Sequence, residues 1–338
     1  MKNKNNLPRW RGFNLLEMFT EKSNGDFRED DFRWISDWGF DFVRLPLSYL
    51  AWTEPDDWTR PREEMIAKID RAVELGGKYG LHIDINFHRA PGYCIAPTPA
   101  EPFNLWKDKD AEDVFCLHWE FFSRRYSGID GSKLSFDLVN EPPHIKPEYM
   151  TRADYGRVVR HATAVIRSVD PNRLVIADGV NVASTPCPEL ADLGVGQSCR
   201  AYAPMGLSHY GASWTEEWMP QSKLGVPQWP GSVHSVRENK PWGRDELEEY
   251  YKPWIELARS GVGVHCGEGG AFNKTPHGVV LRWWADVMDI LRGAEIGWAL
   301  WNFRGSMGII DSGRSDVAYE NWHGHLLDAE FLKLLQGS

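Results

Sequence analysis

The sequence predicts an α/β fold of the (β/α)8 barrel type, built as a single domain over residues 1–338. Three observations predict it. Short apolar runs alternate with amphipathic runs eight times, which implies parallel strands joined by helical crossovers. The alternation fills more than 300 residues with no linker, no repeat and no low-complexity tract. No Gly-x-Gly-x-x-Gly follows the first apolar run, which removes the dinucleotide-binding doubly wound sheet.

Taken in order, the strands are expected at Arg11–Leu16, Phe42–Leu47, His82–His88, Leu134–Glu141, Arg173–Asp178, Gln197–Pro204, Val262–Glu268 and Glu295–Phe303. Helices are expected at Glu29–Trp38, Arg62–Tyr79, Ala111–Tyr126, Thr151–Val169, Arg244–Arg259, His277–Leu291 and His323–Leu335, with a short one near Glu189–Leu193. In Arg62–Tyr79, for example, Met65, Ile66, Ile69, Ala72, Val73 and Leu75 recur at helical spacing. The segment from Met205 to Trp242 has no helical period and is rich in Trp, Pro and Gly. A loop of that length in a compact domain is usually functional, and in a barrel it would lie over the cleft.

Composition narrows the function classes. The net charge of -10 argues against nucleic acid or an anionic membrane as the main partner. The five cysteines are odd in number and form no Cys-x-x-Cys pair, so neither a disulfide framework nor a zinc site is expected. The histidines show no His-x-His or His-Glu-x-x-His spacing; no metal and no cofactor are predicted. Residues Met1 to Trp10 hold no apolar signal region, so a cytoplasmic location is expected, or a secreted one if a leader has been removed. Seventeen tryptophans is high; most are expected in the core, although their flat faces also suit sugar rings.

Two glutamates stand out. Glu141 ends the run Leu134-Ser-Phe-Asp-Leu-Val-Asn-Glu-Pro-Pro143, and Glu268 ends Val262-Gly-Val-His-Cys-Gly-Glu-Gly-Gly270. A carboxylate closing a buried strand is costly unless it has chemistry to perform. In a barrel, polar residues at the C-terminal ends of strands read as catalytic. Six strands contribute there: Arg44 from the second, His88 from the third, Asn140 and Glu141 from the fourth, Arg200 and Tyr202 from the sixth, Glu268 from the seventh and Trp301 from the eighth. Singly, Arg44 reads as a structural ion pair, His88 as a satisfied core histidine and Trp301 as packing; jointly they read as one site.

On these residues the chain resembles glycoside hydrolase family 5, the cellulase-like retaining β-glycosidases. The Asn-Glu-Pro that ends the fourth strand, the Val43-Arg-Leu-Pro46 and His88-Arg-Ala-Pro-Gly92 segments, and Tyr202-Ala-Pro-Met-Gly-Leu-Ser-His-Tyr-Gly-Ala-Ser-Trp214 carry the resemblance. It implies that Glu141 is the general acid/base and Glu268 the nucleophile, their carboxyls ~5–5.5 Å apart as retention requires. It further implies that Arg44 lies under the nucleophile, that Tyr202 bonds it, that Asn140 grips the sugar 2-hydroxyl, that His88 lines the sugar subsite and that Trp301 floors it. The substrate class implied is a β-linked oligo- or polysaccharide. A β-1,4-glucan comes first, a β-mannan or another short β-glycoside cleaved from one end second, and a catalytically silent carbohydrate-binding barrel third. Sugar specificity, internal against terminal cleavage, and oligomeric state stay open.

One residue departs from the family pattern. His-x-Tyr-x-Pro is usual, whereas here Arg200-Ala-Tyr-Ala-Pro204 stands. Arg200 is expected to pair with another acid or to contact substrate, and so to modify specificity. Further rim candidates are Tyr93, Trp106, Trp214, Trp229 and Arg304, with Tyr93 and Trp214 expected to bind substrate. His209 matches a loop histidine and is left outside the catalytic set, and Asp311-Ser-Gly-Arg314 is expected to cap one end of the cleft.

Overall fold

Eight strands carry the fold: β1 (Arg11–Asn14), β2 (Phe42–Ser48), β3 (His82–Ala90), β4 (Leu134–Asp137), β5 (Leu174–Asp178), β6 (Gly196–Ala201), β7 (Val264–Gly269) and β8 (Gly297–Leu300). The computed structural model describes residues 5–337 except 23, 97 and 235–238. The sheet runs β2-β1-β8-β7-β6-β5-β4-β3, and β3 pairs with β2 in turn. The fold is therefore the closed (β/α)8 barrel that the sequence predicts.

Among the described residues, the helices of eight residues or more are α1 (Glu29–Asp37), α2 (Glu63–Tyr79), α3 (Lys109–Arg125), α4 (Arg152–Val169), α5 (Arg244–Arg259), α6 (His277–Gly293) and α7 (Ala329–Gln336). Between β5 and β6 the predicted short helix is a 3-10 turn, Pro188–Leu193. Helix α2 shows why these segments form. Met65, Ile66, Ile69, Ala72 and Leu75 are buried along one stripe, Glu63 and Glu64 suit its N-terminal dipole, and left-handed Gly80 (φ 69°) ends it. Helix α4 opens with a reciprocal cap, Thr151 accepting from the Asp154 amide while Asp154 accepts from Thr151.

The chain divides into two contact-dense units, residues 15–199 and residues 1–14 with 200–338. In the first, β2 and β3 pair in parallel from Phe42↔His82 to Leu47↔Phe87, and every residue of both strands is buried. Along them Val43, Leu45, Leu47 and Ile83, Ile85, Phe87 recur at every second position, which is the period that makes them legible as strands. Outside β3, Phe87 stacks on Trp119 with ring centroids 3.9 Å apart and meets Trp52 at 5.0 Å. Burying a side chain such as Phe87 contributes roughly 1.5–3 kcal/mol. In the second unit, β1 pairs with β8 from Arg11↔Trp298 to Phe13↔Leu300. The Asn14 amide donates to the Gly267 and Leu300 carbonyls at 3.0 and 3.3 Å, tying the ends of β7 and β8 to β1. Gly297 is obligatory: a Cβ there would stand 2.1 Å from the Trp10 carbonyl oxygen.

Three expectations need correction. The fourth strand stops at Asp137, so Glu141 lies four residues beyond it. The predicted helix start at His323 is instead a hairpin, Glu320–Trp322 with His325–Leu327. Its two-residue turn, His323-Gly324, has φ of 51° and 87°, the left-handed pair that such hairpins require. The segment 205–242 is not wholly irregular. It holds a short helix at Met205–Ser208, two 3-10 turns, and a hairpin of Gly231–His234 with Asn239–Trp242, of which 235–238 lie outside the described residues. Among the described residues, no helix is long and apolar enough to cross a membrane.

Candidate active site

Glu141 belongs to the unit of residues 15–199. Past the last β4–β5 pair the chain stays tethered: the Leu138 amide donates to the Ile176 carbonyl and the Asn140 amide to the Phe87 carbonyl, both at 3.0 Å. Glu141 then turns into the left-handed region at φ 47°. Its amide donates to Asp178 Oδ2 at 2.7 Å, and its carbonyl accepts from the Tyr93 hydroxyl at 2.5 Å. Glu141 itself is buried, with 8% of its surface exposed.

Beside it, Asn140 is fully buried, and its Oδ1 accepts from Arg44 Nη2 at 3.0 Å. Arg44 also donates through Nε to Asp137 Oδ2 at 2.9 Å and stands 3.8 Å from Asp84. Ser135 joins this cluster, donating to Asp84 and contacting His82, whose burial lowers its pKa to about 4. These contacts make Arg44 a support of Asn140, charge-balanced by Asp137. His88 is buried and lies edge-on to the Phe19 ring, centroids 4.5 Å apart.

Glu268 belongs to the other unit, at the penultimate position of β7. The Tyr202 hydroxyl donates to its Oε2 at 3.1 Å, as the resemblance implies. Arg200 Nη2 stands 3.5 Å from its Oε1, with both side chains almost wholly buried. Arg200 therefore meets Glu268 itself, where the sequence reading expected another acid or the substrate. The Tyr251 hydroxyl holds the Arg200 carbonyl at 3.4 Å.

Tyr202 is fixed in turn. Its carbonyl accepts from Ser208 Oγ at 2.6 Å, and its ring meets His209 edge-on at 5.2 Å. Burial lowers the His209 pKa to about 4, so the ring is neutral at pH 7. His209 touches Trp214 in turn (6.1 Å), and Trp214, 56% exposed, also packs on Phe272 at 4.8 Å. A series of ring contacts thus joins the tyrosine on Glu268 to an exposed indole. Trp301 is half-buried just after β8; its amide donates to the Gly269 carbonyl at 2.6 Å, and the Trp301–Asn302 peptide is cis.

Several rim expectations are corrected. Tyr93 is 2% exposed and packs against Trp106, so its ring offers no face to a sugar. Trp106 and Trp229 are buried, and Trp229 donates to Asp286 at 2.8 Å. Arg304 engages Asp311 and His325 beside the 320–327 hairpin. Arg314 points inward and donates to the Thr275 and Ala271 carbonyls at 2.7 and 2.8 Å, which anchors the chain after β7. Eleven of the seventeen tryptophans are buried, so their number alone says little about sugar binding. The sequence reading missed Asp178, although it closes the fifth strand and the strand-end rule would have found it.

The comparisons with known proteins agree with the barrel fold. The family model described as "Cellulase (glycosyl hydrolase family 5)" matches residues 2–306. Endoglucanase C of Acetivibrio thermocellus is 26% identical over 320 residues, covering 88% of this chain and 90% of that protein. Cellodextrinase A of Ruminococcus flavefaciens is 28% identical over 268 residues, covering 78% and 74%. A solved structure described as a glycoside hydrolase superposes with a TM-score of 0.91 at 39% identity, over 97% of this chain and 99% of that one. With the family model matched over nearly its whole length and a barrel bearing polar residues at the strand ends, the chain belongs to glycosyl hydrolase family 5, and it is an O-glycosyl hydrolase.

Proposed function

We propose that this hydrolase cleaves β-1,4-linked glucan or its oligosaccharides by retaining double displacement, with Glu268 as nucleophile and Glu141 as general acid/base. The observation that carries the reading is the setting of Glu268. A guanidinium and a phenol each address one oxygen of its carboxylate, which orients a nucleophile for attack at a single carbon. Glu141 is given the proton-transfer role: it donates to the leaving oxygen, then takes a proton from the water that releases the sugar. Asn140, held by Arg44, is assigned the 2-hydroxyl; His88 and Trp301 are assigned the sugar bound at the reacting centre. Trp214 is assigned a neighbouring sugar, and the segment 205–242 is proposed to border the cleft. Names among the relatives, an endoglucanase and a cellodextrinase, support a β-glucan over other substrates.

The test compares wild type, Glu141→Gln and Glu268→Gln on aryl β-glycosides and on gluco-, manno- and xylo-oligosaccharides. Wild type should cleave cello-oligosaccharides with retention of the anomeric centre. Glu268→Gln should lose activity by ~10³-fold or more. Sugar binding without turnover in the wild type would remove the enzyme reading, and inversion would remove the assignment of Glu268 as nucleophile.

A further inference from the structure

The geometry points to Tyr93 and Asp178 as positioning residues that clamp the backbone of the acid/base, an inference that rests on the role proposed for Glu141. Glu141 is a non-glycine residue at φ 47°, a sparsely populated conformation that persists only where its surroundings impose it. Two side chains impose it from opposite sides. Asp178, the last residue of β5, accepts the Glu141 amide at 2.7 Å, and Tyr93 donates to the Glu141 carbonyl at 2.5 Å. Both peptide groups flanking the Glu141 Cα are thereby fixed. The direction of its side chain follows from them.

Each jaw of the clamp is itself secured. The Asp178 carbonyl accepts from the buried Tyr155 hydroxyl. Tyr93 is held by the loop that follows β3. Arg89, at the end of that strand, pairs with Glu101 and donates to the Pro99 and Thr98 carbonyls at 2.9 and 3.1 Å. Glu101 Oε2 accepts from the Gly92 amide at 3.2 Å and from the Tyr49 hydroxyl at 2.9 Å. Gly92, at φ 79°, admits no side chain: a Cβ would lie 2.6 Å from the Leu105 amide nitrogen. The hairpin Arg89↔Cys94, Ala90↔Tyr93 then aims the phenol at Glu141. Burial holds the Tyr93 phenol protonated at any working pH, so it remains a donor throughout the reaction.

A positioning role for the acid makes a prediction that plain destabilisation does not. Protonation of the leaving oxygen matters for a sugar leaving group and hardly at all for a dinitrophenolate, which departs as the anion. The constant kcat/KM reports the glycosylation step. We would measure it for Tyr93→Phe, Asp178→Ala and Glu141→Gln on cellotetraose and on 2,4-dinitrophenyl β-cellobioside, with circular dichroism to verify the fold. Tyr93→Phe and Asp178→Ala should each lower kcat/KM on cellotetraose by about tenfold, the loss expected for one hydrogen bond's net contribution, and by less than about twofold on the dinitrophenyl substrate. Equal losses on both substrates, or no loss on either, would overturn the clamp. Glu141→Gln separates the two failures. If it too lacks leaving-group dependence, the acid/base reading falls and the clamp with it; if it shows that dependence while Tyr93→Phe does not, the clamp alone is wrong.

Discussion

Replacing Arg200 by methionine removes a buried cation and leaves the Glu268 carboxylate beside an apolar chain of similar length. The magnitude follows from the geometry. At 3.5 Å, two unit charges attract by about 5 kcal/mol at an effective dielectric of ~20. Burying both groups offsets part of that, and removing one partner of a buried pair costs roughly 3–5 kcal/mol. A double-mutant cycle over Arg200→Met and Glu268→Gln isolates the pair and reads stability alone, so loss of activity in Glu268→Gln does not obscure it. The coupling should be ~2–3 kcal/mol, measured by urea unfolding followed by tryptophan fluorescence with the m-value unchanged. In parallel, kcat/KM for Arg200→Met should fall ~10–100-fold, with Arg200→Lys recovering part of the loss. A coupling below ~0.5 kcal/mol would refute the reasoning and leave Arg200 as a packing substitution for the histidine common in the family.

Three further predictions rest on other parts of the chain. Trp214→Ala removes an indole with more than half its surface exposed, and should raise KM for cellotetraose about tenfold while kcat stays within about twofold; an unchanged KM places the ring outside the substrate's path. His82, His118 and His209 each have a pKa lowered to about 4 by burial, against ~6.5 unfolded. A depressed folded pKa means their contribution to stability is complete above pH ~6.5 and is lost as pH falls towards 4, at roughly 1–2 kcal/mol each by pH 5. A melting temperature that stays flat from pH 7 to 5 contradicts this. Gly297→Ala would drive a methyl into the Trp10 backbone and should destabilise the fold by ~3 kcal/mol or more, whereas Gly293→Ala, with open space at its Cβ, should cost little; thermal melts of the two variants provide the comparison.

The barrel was legible because its signals are local. In Phe42–Leu47 and His82–His88 the apolar residues Val43, Leu45, Leu47 and Ile83, Ile85, Phe87 recur at every second position, the period of a strand, and the stripe of Met65, Ile66, Ile69, Ala72 and Leu75 has the period of one helix. The hairpin at 320–327 was misread because His323-Gly324 makes a left-handed turn beside apolar residues that also suit a helix. Contacts between distant residues were out of reach. Nothing near Tyr93 says that its hydroxyl finds a carbonyl 48 residues away, and nothing near Arg44 says that it holds an asparagine 96 residues on. Arg200 shows the middle case. Its departure from the family pattern was visible in the sequence, but the oxygen of Glu268 that it faces follows only from the register of β6 and β7.

The two glutamates were read as equivalent strand ends, and the structure separates them. Glu268 is still within its strand, and donors on its carboxylate orient it. Glu141 has left its strand four residues earlier, and partners on its backbone orient it. That difference fits the work proposed for each. A nucleophile keeps its charge until the bond forms, so donors aimed at its oxygens orient it without opposing the reaction. An acid/base must release and regain a proton in every cycle, and each donor fixed on its carboxyl would favour the charged form over the acid. Fixing such a group through its peptide units sets the direction of its side chain without adding a donor to its carboxyl. The left-handed turn at Glu141 is then a functional feature of the fold, and Tyr93 and Asp178 are the residues whose loss should reveal it.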